Sequence, residues 1–96
     1  MAEYRLSPEA ERDLELIWLY SCEHWGIAQA HRYLDDLTAR LEAVANSPQT
    51  AQSCYHIRVG YRRYMVERHM VYFRITAYGI AVIRILHTRM DATRHV

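Results

Sequence analysis

The sequence predicts an α+β fold in which an N-terminal strand and an antiparallel two-helix hairpin pack on a mainly antiparallel sheet of about four strands. Apolar residues recur at helical spacing through the first half of the chain, and near residue 60 the period changes to the two-residue alternation of strands. The chain has 96 residues, about half of them apolar, which suits one domain over residues 1–96.

The first two elements are a short strand and a capped helix. Residues 3–6 alternate polar and apolar side chains and predict a strand whose place in the sheet the sequence leaves open. Ser7 is suited to cap a helix and Pro8 to open it, and the first predicted turn is acidic. Gly26 ends this helix. Its apolar face comprises Ala10, Leu14, Ile17, Trp18, Ser21, Cys22 and Trp25.

A second amphipathic helix follows Gly26 and ends at Asn46-Ser47-Pro48. Because the connection between the two helices is so short, they must fold back on each other as an antiparallel hairpin. The apolar positions of this helix are Ile27, Ala30, Leu34, Leu37, Leu41 and Val44.

Residues 61–91 predict two consecutive β-hairpins. The last two strands are separated by Ala77-Tyr78-Gly79, a three-residue loop that would place Thr76 opposite Ile80 and Tyr72 opposite Arg84. Alternation then assigns a core face to Val71, Phe73, Ile75, Ala81, Ile83 and Ile85. The opposite face carries Tyr72, Arg74, Val82 and Arg84.

Charge is divided unevenly along the chain, although the net charge is only +1. Residues 1–57 contain four arginines and nine acidic residues, whereas residues 58–96 contain eight arginines and only Glu67 and Asp91. Lysine is absent. Arginine forms bidentate bonds with carboxylates and phosphates, so the second half favours an acidic peptide or a nucleic acid as partner. The alternative is a solvated face balanced by the acidic helices of the same chain.

Several kinds of site are not predicted. Neither cysteine nor any of the six histidines has metal-ligand spacing, and no glycine-rich phosphate loop occurs, so neither a metal nor another cofactor is expected. No apolar run reaches the roughly 20 residues of a membrane span. The sequence also lacks a signal-like N-terminus, so we expect a soluble, cytoplasmic protein.

One group of side chains could hold phosphates. Arginines with one histidine could stabilise the transition state of a metal-free ribonuclease and transfer protons, but the same arginines would also suit an acidic peptide. The members of this group are Arg62, Arg63, Arg74, Arg84, His87 and Arg89.

The chain resembles the ParE branch of the RelE/ParE superfamily of bacterial type II toxins along nearly its whole length. The resemblance depends on the opening Tyr4 to Leu14, on Trp25-Gly26 followed by Ala30 and Tyr33, and on Arg68 to Ile75. Its most specific motif is the strand exit Ile85-Leu-His-Thr-Arg-Met-Asp91.

This resemblance implies a cognate ParD-like antitoxin and action by binding DNA gyrase, without catalysis. The RNA-cleaving branch has an arginine where this chain has Met70. That branch also uses a tyrosine in its C-terminal tail, and residues 88–96 of this chain contain no tyrosine. A ribosome-dependent mRNA endoribonuclease and a non-toxic basic interaction module remain the alternatives. Neither a membrane nor sequence-specific binding to nucleic acid is expected.

Two sets of interface residues follow from charge, exposed apolar positions and the strand exit. The predicted antitoxin-binding residues are Leu16, Leu19, Tyr72, Arg74 and Arg84. The predicted target-binding residues are Arg63, His87, Arg89 and Asp91. No catalytic residue is assigned.

Overall fold

A computed structural model describes residues 2–96 and shows two long helices packed on one face of a five-stranded sheet. The predicted α+β fold, with its N-terminal strand and helical hairpin, is therefore confirmed. The elements in chain order are β1 (Glu3–Leu6), α1 (Pro8–Trp25), α2 (Ile27–Asn46), a 3₁₀ turn (Pro48–Thr50), β2 (Gln52–Ser53), β3 (Tyr61–Val66), β4 (His69–Thr76), β5 (Gly79–His87) and α3 (Ala92–His95). No helix in residues 2–96 is long and apolar enough to cross a lipid bilayer.

The sheet has the order β1-β5-β4-β3-β2 and is mixed. β1 pairs in parallel with the first half of β5, and all the other pairs are antiparallel. The parallel pair brings the beginning of the chain beside its last strand, and the hairpin of α1 and α2 crosses the sheet between them. We call the face under these helices the front face and the other the back face.

The helix boundaries follow the local signals. The hydroxyl oxygen of Ser7 accepts a hydrogen bond from the amide of Ala10 at 3.0 Å, which satisfies one of the free amides of the first turn of α1. Gly26 has φ +90°, a conformation that L side chains rarely adopt, and it ends α1 directly before α2 begins. The two helices are therefore antiparallel neighbours.

The hairpin of β4 and β5 corrects the predicted register. Gly79 pairs with Thr76, so the connection has two residues and Ile75 lies opposite Ile80. A β-bulge near Tyr72 and Phe73 then restores the predicted pair of Tyr72 with Arg84. Gly79, which was predicted as the third loop residue, is instead the first residue of β5. Any side chain there would meet the backbone of Glu3 in β1.

The bulge also changes which residues of β5 are buried. Val82 was predicted on the back face, yet it is fully buried in the front core, as is Ile85 three positions later. Inward-facing residues of a regular strand are two positions apart, so a spacing of three between Val82 and Ile85 requires one extra residue in β5. The core-face prediction was also wrong for Ile75, which is 41% exposed near the end of the sheet, and for Ala81, which pairs with Arg74 on the back face.

The two faces bury different amounts of side chain. The front core contains residues from both long helices and from β3, β4 and β5, with Leu37, Leu41 and Phe73 fully buried at its centre. The back face has a small cluster of Cys54, Tyr72 and Leu86, covered by the loop before β3 and by Ala92 and Val96.

Candidate functional site

An apolar groove of about 400 Å³ lies between α1 and the second half of β5. Leu16 and Tyr20 form its outer wall and are 57% and 54% exposed, while Ile17 lies buried between α1 and the sheet. Most of its lining is apolar or aromatic, which is typical of a site that binds another apolar surface. The lining residues are Asp13, Leu16, Ile17, Tyr20, Ser21, Trp25, Arg68, His69, Arg84, Ile85, His87 and Met90.

The groove exists because β1 is shorter than β5. β1 pairs only as far as Val82, so no strand formed by residues 2–96 lies beside the outer edge of β5 beyond that residue. Side chains satisfy part of this edge. The Ser7 hydroxyl donates to the carbonyl of Ile83 at 2.7 Å, and the amide of Ile85 donates to Asp13 Oδ2 at 2.9 Å. The edge therefore carries polar groups beneath an apolar opening.

Asp13 and Arg84 form a bidentate ion pair at one end of the groove. Arg84 donates from Nε and Nη2 to the two carboxylate oxygens at 2.8 and 2.9 Å, and from Nη1 to the carbonyl of His95 at 3.2 Å. The hydrogen bond to Asp13 raises the pKa of Arg84. This pair joins α1, β5 and α3. This ion pair was not predicted, although Asp13 lies three residues after Ala10 and four before Ile17 on the apolar stripe of α1.

A polar cluster lies where the groove meets the beginning of β4. His69 Nδ1 and the Tyr33 hydroxyl are 2.6 Å apart, and the ring centroids of His69 and His87 are 5.5 Å apart across the two strands. Burial, together with the neighbouring His87 and Arg68, lowers the pKa of His69 to about 4. His69 is therefore uncharged at neutral pH.

The far end of the groove is aromatic and positively charged. The Arg68 guanidinium lies 4.9 Å from the ring centroid of Trp25, which is a cation–π contact. Trp25 lies twelve residues beyond Asp13 on α1, so at helical rise the two ends of the groove are about 18 Å apart.

The predicted antitoxin-binding residues lie on different surfaces. Leu16 and Arg84 line the groove, whereas Leu19 is exposed on α1 outside the lining. Tyr72 is buried in the back cluster, and Arg74 is exposed on the back face opposite Tyr61. The structure thus brings two of the five together.

The predicted target-binding residues are also divided. His87 lines the groove, and its Nδ1 accepts a hydrogen bond from the amide of Arg89 at 3.1 Å. Asp91 caps α3, accepting bonds from the amide and hydroxyl of Thr93 that lower the pKa of the carboxyl group. Arg63 lies two strands away on the back face, where its Nε donates to Gln52 at 3.0 Å.

The phosphate-holding group is not assembled in one place either. Arg84 is paired with Asp13, and Arg62 donates to the carbonyl of Ala51 at 2.8 Å. Alternation along β3 puts Arg62 on the front side and Arg63 on the back face.

Comparisons with known proteins identify close relatives. A model of the family described as "ParE toxin of type II toxin-antitoxin system, parDE" matches residues 4–92. Toxin ParE1 of Mycobacterium tuberculosis strain H37Rv is 38% identical over 96 residues, which cover 99% of this chain and 98% of that protein. Toxin ParE1 of Caulobacter vibrioides is 40% identical over 96 residues, covering 100% and 99%.

A solved structure has the same fold at much lower sequence identity. It is titled "Chromosomal ParDE TA system from P. aeruginosa" and superimposes with a TM-score of 0.77 at 18% identity, covering 91% of this chain and 96% of that one. The sheet and helical hairpin are therefore shared by chains that differ at most positions.

Proposed function

The chain belongs to the ParE toxin family of type II toxin–antitoxin systems, and we propose that a cognate ParD-like antitoxin neutralises it by occupying the groove between α1 and β5. We propose further that the free toxin arrests growth by binding DNA gyrase. The observation that carries the first proposal is the groove itself, an apolar opening beside an unpaired strand edge.

The lining of the groove indicates the chemistry of the antitoxin segment. Apolar side chains of the partner would cover the exposed Leu16 and Tyr20. Burial of such anchor residues supplies most of the affinity in interfaces of this kind. Arg68 makes no ion pair within residues 2–96, so its guanidinium could form one with a carboxylate of the antitoxin. An acidic, partly apolar segment that orders on contact fits both requirements.

Occupation of the groove would also explain neutralisation. His87 and Met90 line the groove, and Arg89 lies between them in the turn after β5. These residues include part of the predicted target-binding set. An antitoxin in the groove would therefore cover residues that gyrase needs, and the two partners would compete.

The polar cluster supports binding in preference to catalysis. A general base works best with a pKa near the working pH. His69 has a pKa of about 4 and is held against Tyr33, so at neutral pH it is an uncharged and weakly basic group. The arginines that could hold phosphates are divided between two faces, which removes the cluster of donors that an RNA-cleaving site needs.

Expression of the chain with and without its antitoxin tests the proposal. We expect growth arrest only without antitoxin, and purified toxin should produce gyrase-dependent DNA cleavage while mRNA on ribosomes remains intact. Cut mRNA with unaffected gyrase would favour the ribonuclease. Unimpaired growth at confirmed expression would favour the non-toxic interaction module.

A further inference from the structure

Within residues 2–96, three arginines on the back face and in the loop beside it have no acidic partner. Arg58, Arg63 and Arg74 make no ion pair, since the pairs within residues 2–96 involve Arg5, Arg40 and Arg84. The sequence also contains no acidic residue over residues 43–66 or over residues 68–90. This side of the molecule therefore carries positive charge that the protein itself does not neutralise.

The three arginines are neighbours, and we call their surface the basic face. Arg63 lies opposite Tyr72 and Arg74 lies opposite Tyr61, so the two arginines are diagonal neighbours on paired strands, about 7–8 Å apart. That separation is similar to the distance between successive phosphates of an extended nucleic-acid strand. Arg58 extends the surface, because its guanidinium lies 5.8 Å from the ring centroid of Tyr61.

Aromatic side chains accompany the arginines. Tyr61 lies between Arg58 and Arg74, and Tyr55, in the same loop as Arg58, is 70% exposed. A large aromatic side chain that is mostly in water gains nothing from the protein core. Exposed aromatic rings beside arginines are the combination that binds unpaired bases and their backbone.

We propose that the basic face binds single-stranded nucleic acid without sequence preference. The arginines would contact successive phosphates and Tyr55 would stack on an unpaired base. This inference goes beyond the proposed function, because the basic face lies on the opposite side of the sheet from the long helices. A toxin whose groove is filled by antitoxin would keep it free.

A direct binding measurement tests the proposal. Fluorescence anisotropy with a labelled single strand of about twelve nucleotides, as DNA and as RNA, should show binding that weakens steeply with salt. In Arg63→Ala/Arg74→Ala we expect an affinity at least tenfold lower, and the slope of log K against log salt should be smaller by about 1.4, because each phosphate contact on a single strand contributes about 0.7.

A matched control separates the basic face from overall charge. Arg12→Ala/Arg32→Ala removes the same charge from α1 and α2 and should change the affinity less than twofold. Tyr55→Ala should weaken binding about fivefold or more and leave the salt slope unchanged, because it removes stacking only. Circular dichroism of each variant verifies that it is folded.

Three results would overturn the proposal. Equal losses in the two double variants would mean that the charge acts without a defined site. The stacking would be contradicted if a duplex bound as tightly as the single strand and Tyr55→Ala left both affinities unchanged. Binding of polyglutamate but neither DNA nor RNA would assign the basic face to an acidic protein. Comparable affinities for DNA and RNA are expected, since the proposed contacts involve only phosphates and bases.

Discussion

The front and back faces of the sheet present different surfaces to a partner. On the front side, two long helices bury the core and leave an apolar groove whose one strong ion pair is satisfied within the chain. In the part of the chain that the structure describes, the back face has three buried residues under a loop and a short helix, and the arginines around them make no ion pair. A partner on the front surface would therefore gain affinity from apolar burial, whereas a partner on the back surface would gain it from charge.

The largest effect that separates the two faces should come from Asp13. Asp13→Ala leaves the half-buried Arg84 without its carboxylate and the amide of Ile85 without an acceptor, so we expect a loss of about 3 kcal/mol in the free energy of unfolding. Urea denaturation measures this. Asp36→Ala is the control, because its 3.7 Å contact with Arg40 is exposed and should contribute less than about 1 kcal/mol. Equal losses would show that the Asp13 pair is no more important than a surface pair.

The next largest effect should be on antitoxin binding. Leu16→Asp puts a charge in the apolar wall of the groove, and we expect the affinity for the cognate antitoxin to fall about thirtyfold, or about 2 kcal/mol. Isothermal titration measures it. Val59→Asp is the matched control, since Val59 is highly exposed in the loop beside the basic face. If both variants lose affinity equally, the antitoxin does not depend on the groove.

The sequence predicted the helices and strands of both faces better than the register and burial of β5. Helix starts, the turn at Gly26 and the burial of Val71 and Phe73 follow from local signals, and the structure agrees. The β-bulge near Tyr72 was not predicted, because an extra residue in a strand rich in isoleucine and valine leaves no compositional mark. It moved Val82 into the core.

The candidate site was harder to predict, because its parts are distant in sequence. Asp13 and Arg84 are 71 residues apart, and their contact depends on where β1 ends beside β5. Arg84 was predicted to share a binding surface with Arg74, yet its ion pair with Asp13 holds it at the groove. Only the position of Asp13 on an apolar stripe could have indicated a buried carboxylate.

A pH-dependent loss of stability should be specific to the groove side. The pKa of His69 is about 4 in the folded protein and about 6.5 when unfolded, so between these values the unfolded chain binds more protons. The stabilisation that uncharged His69 contributes is complete well above pH 6.5 and decreases as the pH falls towards 4, by about 2 kcal/mol at pH 5. Urea denaturation above pH 6.5 and at pH 5 measures this decrease in the free energy of unfolding. His69→Gln should remove it. The exposed His24→Gln should retain it, and an identical decrease in both variants would contradict the assignment.

The smallest effect should be that of Arg74 on antitoxin affinity, and it tests whether the two faces act independently. Arg74 was predicted to bind antitoxin together with Arg84, but it lies on the back face, on the other side of the sheet from the helices and Leu16. At moderate salt its charge is screened from a segment bound in the groove, so Arg74→Ala should change the affinity by less than about 0.5 kcal/mol. Titration beside Arg32→Ala, an exposed arginine on α2, gives the baseline. A loss for Arg74→Ala comparable to that for Leu16→Asp would mean that the antitoxin wraps around the sheet and covers both faces, and the basic face would then be closed to nucleic acid in the complex.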